Sequence, residues 1–168
     1  LSALLLPLLV VLGAAMVVTS LQRTGGPFFF AQNEFLWGNT MGLICFAGLA
    51  VAAVRHRHRT DWHARLMLTG MAILTGPGFG RLLPMPLFIP WAWWAGTLVP
   101  LLFPLAGMVI DLRRKGRVHP AWLWAVGAIL AVHFASMAIA ASAPGMALTR
   151  WVIAGTPGAE RSMAAFLP

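Results

Sequence analysis

The side chains able to do chemistry are few, and most sit in two short stretches. The chain has five histidines, four carboxylates and one cysteine among its 168 residues. Three histidines fall in the elbow Arg55 to Arg65 (RHRHRTDWHAR), and a fourth, His119, falls in a second elbow, Asp111 to Pro120 (DLRRKGRVHP). Histidine exchanges protons and ligates metals near neutral pH. A shared cluster of His63, His119, Asp111 and Arg65, with Arg117 close by, is therefore the first candidate site. The competing reading is a plain basic surface that meets anionic lipid headgroups at about 1 kcal/mol per Lys or Arg.

His133 stands apart, inside an apolar run. It lies ~18 Å along that run at the rise of a helix, near the middle of a bilayer. An ionisable group there is expensive in hydrocarbon and reads as functional. The alternative is a neutral imidazole bonded to a carbonyl of the second or fourth span. Haem b is one chemistry to weigh, and quinone binding is another. Bis-histidine ligation needs two rings at nearly equal depth. His63 and His133 fail that test, whereas His133 with Met71, or His63 with His119, passes it. The four-histidine pattern of a two-haem cytochrome is missing. Arg81 and Glu34 form a second candidate pair, which would spare Arg81 an unpaired charge near lipid. Asn39 and Thr40 could extend that pair, or Arg81 could snorkel alone. No nucleophile–base pair, phosphate loop or paired carboxylates appear, so a hydrolase or ATPase reading has no support.

The elements that must position these residues are apolar helices. Of the chain, 60% is hydrophobic and only 10% charged, against about 25% charged in a soluble domain. The net charge of +8 would suit nucleic acid, but the basic residues lie in short loops between apolar spans, which is the positive-inside pattern. Nucleic acid is thus not an expected partner. The lone Cys45 excludes an intrachain disulfide and a multi-cysteine metal site, and its apolar setting makes it a small buried hydrophobe.

The expected fold is all-α: one transmembrane domain, residues 1–168, with spans at about 1–21, 35–54, 62–83, 87–110 and 121–142. The first span lacks a basic leader and reads as a span, not a signal peptide. The loop from Gln22 to Glu34 carries Phe28, Phe29 and Phe30, expected to dip into the interface. Thr60 or Asp61 is expected to cap the third span. That span softens at Thr75-Gly76-Pro77-Gly78. Pro100 and Pro104 kink the fourth, Pro144-Gly145 ends the fifth, and an interfacial helix is expected around Trp151. The elbows hold Arg55, Arg57, Arg59, Arg65, Arg113, Arg114, Lys115 and Arg117, against Arg23, Arg81, Arg150 and Arg161 opposite. That asymmetry puts the elbows and the N-terminus in the cytoplasm.

The run His63-Ala64-Arg65-Leu66-Met67, ending at Arg81, and the run Asp111 to Pro120 resemble a group of uncharacterised bacterial multi-pass inner-membrane proteins. Those proteins look like small helical bundles with an H-x-R-L-M elbow and a D-L-R-x-x-G-R-V-H-P elbow. The resemblance covers about Arg55 to Trp122 and implies that His63, Arg65, Met67, Arg81, Asp111, Arg117 and His119 belong to a shared pattern. His133 lies outside it, and no established activity comes with it. The leading expectation is a non-enzymatic subunit, assembly factor or partner of a larger inner-membrane system, held to a membrane protein or to other copies of itself. A small redox protein with haem b or quinone at His63, His119 or His133 is the alternative. An ion or small-molecule carrier using Arg81 is a further one.

Overall fold

A computed structural model describes residues 2–166, and among them the fold is all-α, without strands. The expected span start at Leu1 and the end of the tail lie outside these residues. Eight helices follow one another: α1 (Ser2–Thr24), α2 (Gln32–Arg55), α3 (Thr60–Leu74), α4 (Gly76–Leu82), α5 (Ala92–Leu98), α6 (Leu102–Lys115), α7 (Pro120–Ala141) and α8 (Ala143–Ile153). Four segments are long and apolar enough to cross a membrane: Leu5–Thr24, Gln32–Arg55, Ala92–Lys115 and Pro120–Ala141. The expected third span is absent from that set because it is broken. Its longer piece, α3, has 15 residues, and about 20 are needed to cross.

Two breaks fall where the sequence places them. At Thr75 the chain leaves α3, and Pro77 sits in the first turn of α4, where its missing N–H costs nothing. Between α5 and α6, Pro100 removes a donor. Leu101, Leu102 and Phe103 then bond to the carbonyls three residues back, at 3.1, 3.1 and 3.2 Å, which tightens and bends the segment.

Other boundaries differ from expectation. The loop expected from Gln22 to Glu34 is shorter, since α1 runs on to Thr24 and α2 begins at Gln32. Residues 87–91 do not start the fourth span; a 3₁₀ turn, Met85–Phe88, holds them out of helix until Ala92. The fifth span does stop where expected, α7 ending at Ala141, but Pro144-Gly145 then opens α8: the Ser142 hydroxyl accepts the Gly145 N–H at 3.1 Å, and Pro144 suits the first turn. Trp151 then lies on α8, as expected, and is exposed. Neither Thr60 nor Asp61 caps α3. Arg59 occupies the cap position without a side-chain bond, because the Asp61 carboxylate is turned to another partner.

Helix α2 is the centre, packing against α1, α3, α7 and α8. The largest core cluster joins Cys45, Leu49 and Ala53 of α2 to Leu66 of α3, Leu101, and Ala121, Ala125 and Ile129 of α7. Cys45 is a buried free thiol there, in keeping with its apolar setting. A second cluster, Val17, Leu21, Leu36 and Ile153, ties α1, α2 and α8 at the opposite end. Of the three phenylalanines, Phe28 and Phe29 are partly exposed at the end of the bundle and Phe30 turns inward. Phe30 is buried, packs edge-on to Trp93 with centroids 5.0 Å apart, and joins Met85 and Ala92 in a third cluster. Their mutual contacts bury more apolar surface than a loop of isolated rings could.

Candidate functional site

Both elbows meet at one end of the bundle, and the fold sorts their polar groups into three ties. The first is a fork. Arg65 Nε donates to Asp111 Oδ2 at 2.8 Å and Arg65 Nη2 to Asp111 Oδ1 at 2.7 Å. The Trp122 indole N–H donates to Asp111 Oδ2 at 2.8 Å, and Lys115 Nζ stands 3.7 Å from Oδ1. The two partners' side chains are only 12% and 9% exposed. Bidentate geometry of this kind is what a guanidinium supplies and an ammonium does not. Trp122 can reach the carboxylate because Gly107 leaves its indole a seat; a Cβ there would run into the ring.

The second tie joins Asp61 to His119. His119 Nδ1 accepts the Ala121 N–H at 3.2 Å, capping α7. That nitrogen carries no proton, so the N–H is on Nε2 and donates to Asp61 Oδ2 at 2.8 Å. Desolvation works against ionisation of Asp61, but hydrogen bonds from His119 and from the Trp62 N–H outweigh it and hold the carboxyl below its ordinary range. Around this pair, the Trp62 ring stacks on His56 at 5.2 Å and meets His119 edge-on at 5.4 Å, with the Arg59 guanidinium 5.3 Å from its centroid. Arg65 Nη1 donates to the Asp61 carbonyl at 2.7 Å and so links the two ties.

His63 belongs to neither. Its Nδ1 lies 2.8 Å from the Ala53 carbonyl, and a carbonyl only accepts, so Nδ1 is the protonated nitrogen. Ala53 is in the last turn of α2, whose carbonyls lack helical partners; His63 satisfies one of them. Arg117 is exposed in the second elbow and forms no ion pair among the described residues. The expected five-residue cluster is thus Arg65 with Asp111, while His119, His63 and Arg117 go elsewhere. Sequence reasoning missed Trp122 and the Asp61–His119 bond; the signal for Trp122 was an indole N–H two residues into a span that starts at a polar elbow.

At the opposite end, Arg81 and Glu34 do not pair. Arg81 Nη1 donates to the Pro77 carbonyl at 2.9 Å, one turn back on its own short helix. Glu34 is half-buried, with no cation within 4.0 Å among the described residues. Asn39 donates back to Phe35 within α2, at 2.8 Å, so it does not extend a pair either. The cation at work here is Arg161, which no pattern in the sequence singles out. Its guanidinium donates to the carbonyls of Gly25, Gly26, Phe28 and Phe30. The buried Gln32 side chain donates to the Gly158 carbonyl at 3.0 Å and strengthens the same strap.

His133 is 5% exposed on α7. The Thr97 hydroxyl lies 3.2 Å from the Trp93 carbonyl and 3.0 Å from His133 Nδ1. Both contacts are satisfied when the hydroxyl donates to the carbonyl and accepts from Nδ1–H. The expected partner on the fourth span is therefore present, but it is a hydroxyl and not a carbonyl. Nε2 is left with a bare lone pair and no partner among the described residues. Trp94 packs edge-to-face against the ring, with centroids 4.4 Å apart. Met71 is 50% exposed and presents half its surface away from the bundle interior. His119 has both nitrogens engaged, whereas His63 and His133 each keep a nitrogen without a hydrogen-bond partner among the described residues. No group of three or more His, Cys, Asp or Glu is placed to hold a metal ion among the described residues. Comparison with protein-family models, with curated proteins and with solved structures gave no match.

Proposed function

We propose that the chain is a multi-pass protein of a bacterial inner membrane, with both elbows and its N-terminus cytoplasmic, and that it serves a larger membrane system as a subunit, assembly factor or partner and not as an enzyme. One observation carries this reading: the polar groups that could have formed a reactive cluster are bonded to one another or to backbone, helix to helix. Arg65 holds Asp111, His119 holds Asp61, His63 closes the end of α2 and Arg161 holds a loop. Side chains held in this way order helices, and those with every polar atom engaged, Asp111 and His119 foremost, have nothing left for a substrate. The outward faces are rich in Leu, Val and Trp, which suits lipid and neighbouring membrane helices alike.

The test is isolation of the full chain in a mild detergent after crosslinking in its native membrane. A defined membrane complex in stoichiometric amount is the expected result. A monodisperse protein without companions, carrying its own chromophore, would overturn the proposal.

The His133 Nε2 lone pair favours a second reading, a small redox protein with haem b or quinone. A visible spectrum of the purified protein, oxidised and then dithionite-reduced, decides for haem: a Soret band lost in His133→Ala supports it, and tryptophan absorbance alone removes it.

A further inference from the structure

The outer face of α2 carries a groove of about 580 Å³, lined by Ile44, Ala47, Gly48, Val51, Ala52, Arg55 and His56. These positions recur at three- and four-residue spacing, so they form one stripe of the helix. The groove runs from Ile44 to Arg55, roughly 16 Å at the rise of an α-helix, which is about one leaflet of hydrocarbon. Its floor is Gly48, where an added Cβ would meet nothing within 4 Å. Its walls are the exposed side chains of Ile44 and Val51. Its upper rim is cationic. Arg55 is exposed and has no ion pair among the described residues. His56 is fixed by stacking on Trp62, which in turn lies under Arg59.

We infer that this groove binds one anionic phospholipid, its acyl chain along Ala47, Gly48 and Val51 and its phosphate between Arg55 and His56. A second groove, on α7, acts as an internal comparison. Leu123, Trp124, Gly127, Ala128 and Ala131 line about 410 Å³ of similar shape, again over a glycine with open space above it. No charged residue stands at its rim, so it offers an acyl chain a seat and a phosphate nothing. Charge complementarity, not apolar shape, therefore sets the α2 groove apart. The headgroup lies at the elbow end, where the negative surface potential of a cytoplasmic leaflet would concentrate such lipids. The inference rests on the membrane reading above.

The test is native mass spectrometry of the full chain in detergent, with phosphatidylglycerol or phosphatidylcholine added at equal concentration. Wild type is expected to retain one phosphatidylglycerol in preference to phosphatidylcholine. The double variant Arg55→Gln/His56→Gln should lose that preference, with retention falling roughly tenfold. Gly48→Leu, which fills the floor, should lower retention of both lipids. Gly127→Leu should leave the phosphatidylglycerol preference intact. Equal retention of the two lipids by wild type, or unchanged retention in the double variant, would overturn the proposal. So would a dimer crosslinked through residue 48 without bound lipid, because a second copy would then own the groove. Should Gly48→Leu fold poorly, the double variant still decides, since Arg55 is a surface side chain. Resistance of the wild type to alkaline extraction from membranes is measured alongside. If it washes off, the membrane reading falls; if it stays while the lipid preference is absent, only the groove proposal falls.

Discussion

At the elbow end of the bundle Arg65 meets a carboxylate; at the opposite end Arg161 meets backbone carbonyls and the face of Phe166. Both guanidiniums are partly shielded from water, and both tie segments distant in sequence. Each end also seats a tryptophan on a glycine, Trp122 on Gly107 and Trp93 on Gly38. The difference lies in what is fixed. Arg65 and Asp111 project from α3 and α6, so their bond sets the relation of two helices. Arg161 gathers the carbonyls of a loop that has no helical hydrogen bonds of its own, so its bond sets a path of backbone. A full charge pair with a buried carboxylate is intolerant of losing one member, because the survivor is left without its counter-charge. Neutral carbonyls lose a donor and not a counter-charge, and water can replace that donor.

The largest effect is therefore expected at Asp111. Asp111→Leu should lower unfolding stability by about 3–5 kcal/mol, measured by denaturation in detergent, because Arg65 stays behind without its partner. The double variant Arg65→Met/Asp111→Leu should recover most of that loss, since two apolar side chains of similar volume need no counter-charge. A single variant as stable as wild type would show that the fork contributes little to folding, and the contrast between the two ends would disappear.

Arg161→Ala is expected to cost less, roughly 2 kcal/mol, in line with charge-assisted hydrogen bonds discounted for partial exposure. Burial already pushes the Arg161 guanidinium down from its usual range. The loop of residues 25–31 should become open to limited proteolysis while the elbow end keeps its stability. Arg161→Lys should recover less than half, because one ammonium cannot fork across four carbonyls. Full recovery by lysine would mean that only the charge matters at this end.

The same contrast explains what could be read from the residues alone. Opposite charges on two helices at matched depth are visible in a sequence, and Arg65 and Asp111 group together on that ground. The helix breaks were visible too, because Gly76-Pro77 and Pro100 change backbone chemistry directly. Arg161 was not legible, because its partners are carbonyls, which every residue has and none advertises. Glu34 and Arg81 misled for the complementary reason: opposite charge at similar depth says nothing about which way either side chain turns, and Pro77 lies nearer to Arg81 along its own helix. His63 and His119 looked alike in the sequence, yet one satisfies the end of α2 and the other begins α7. Those roles depend on where the elbow's chain reverses, which a count of spans does not fix.

The smallest expected effect sharpens the elbow end itself, where Asp61 and His119 form a tie far more open than the fork. The Asp61 side chain is 48% exposed, so salt should screen this contact strongly. The sign follows from its depressed carboxyl. The unfolded chain takes up a proton at the ordinary aspartate value of 3.8, before the folded chain does. Stability from this contact is thus fully present above that value and lost as pH falls below it. Melting curves taken between roughly pH 5 and pH 3 should show the wild type losing stability more steeply than Asp61→Asn, whose amide does not titrate there. Added salt should narrow the gap between the two. Superimposable acid limbs would mean that the contact orients His119 without stabilising the fold, leaving Arg65 as the one tie at this end that carries weight.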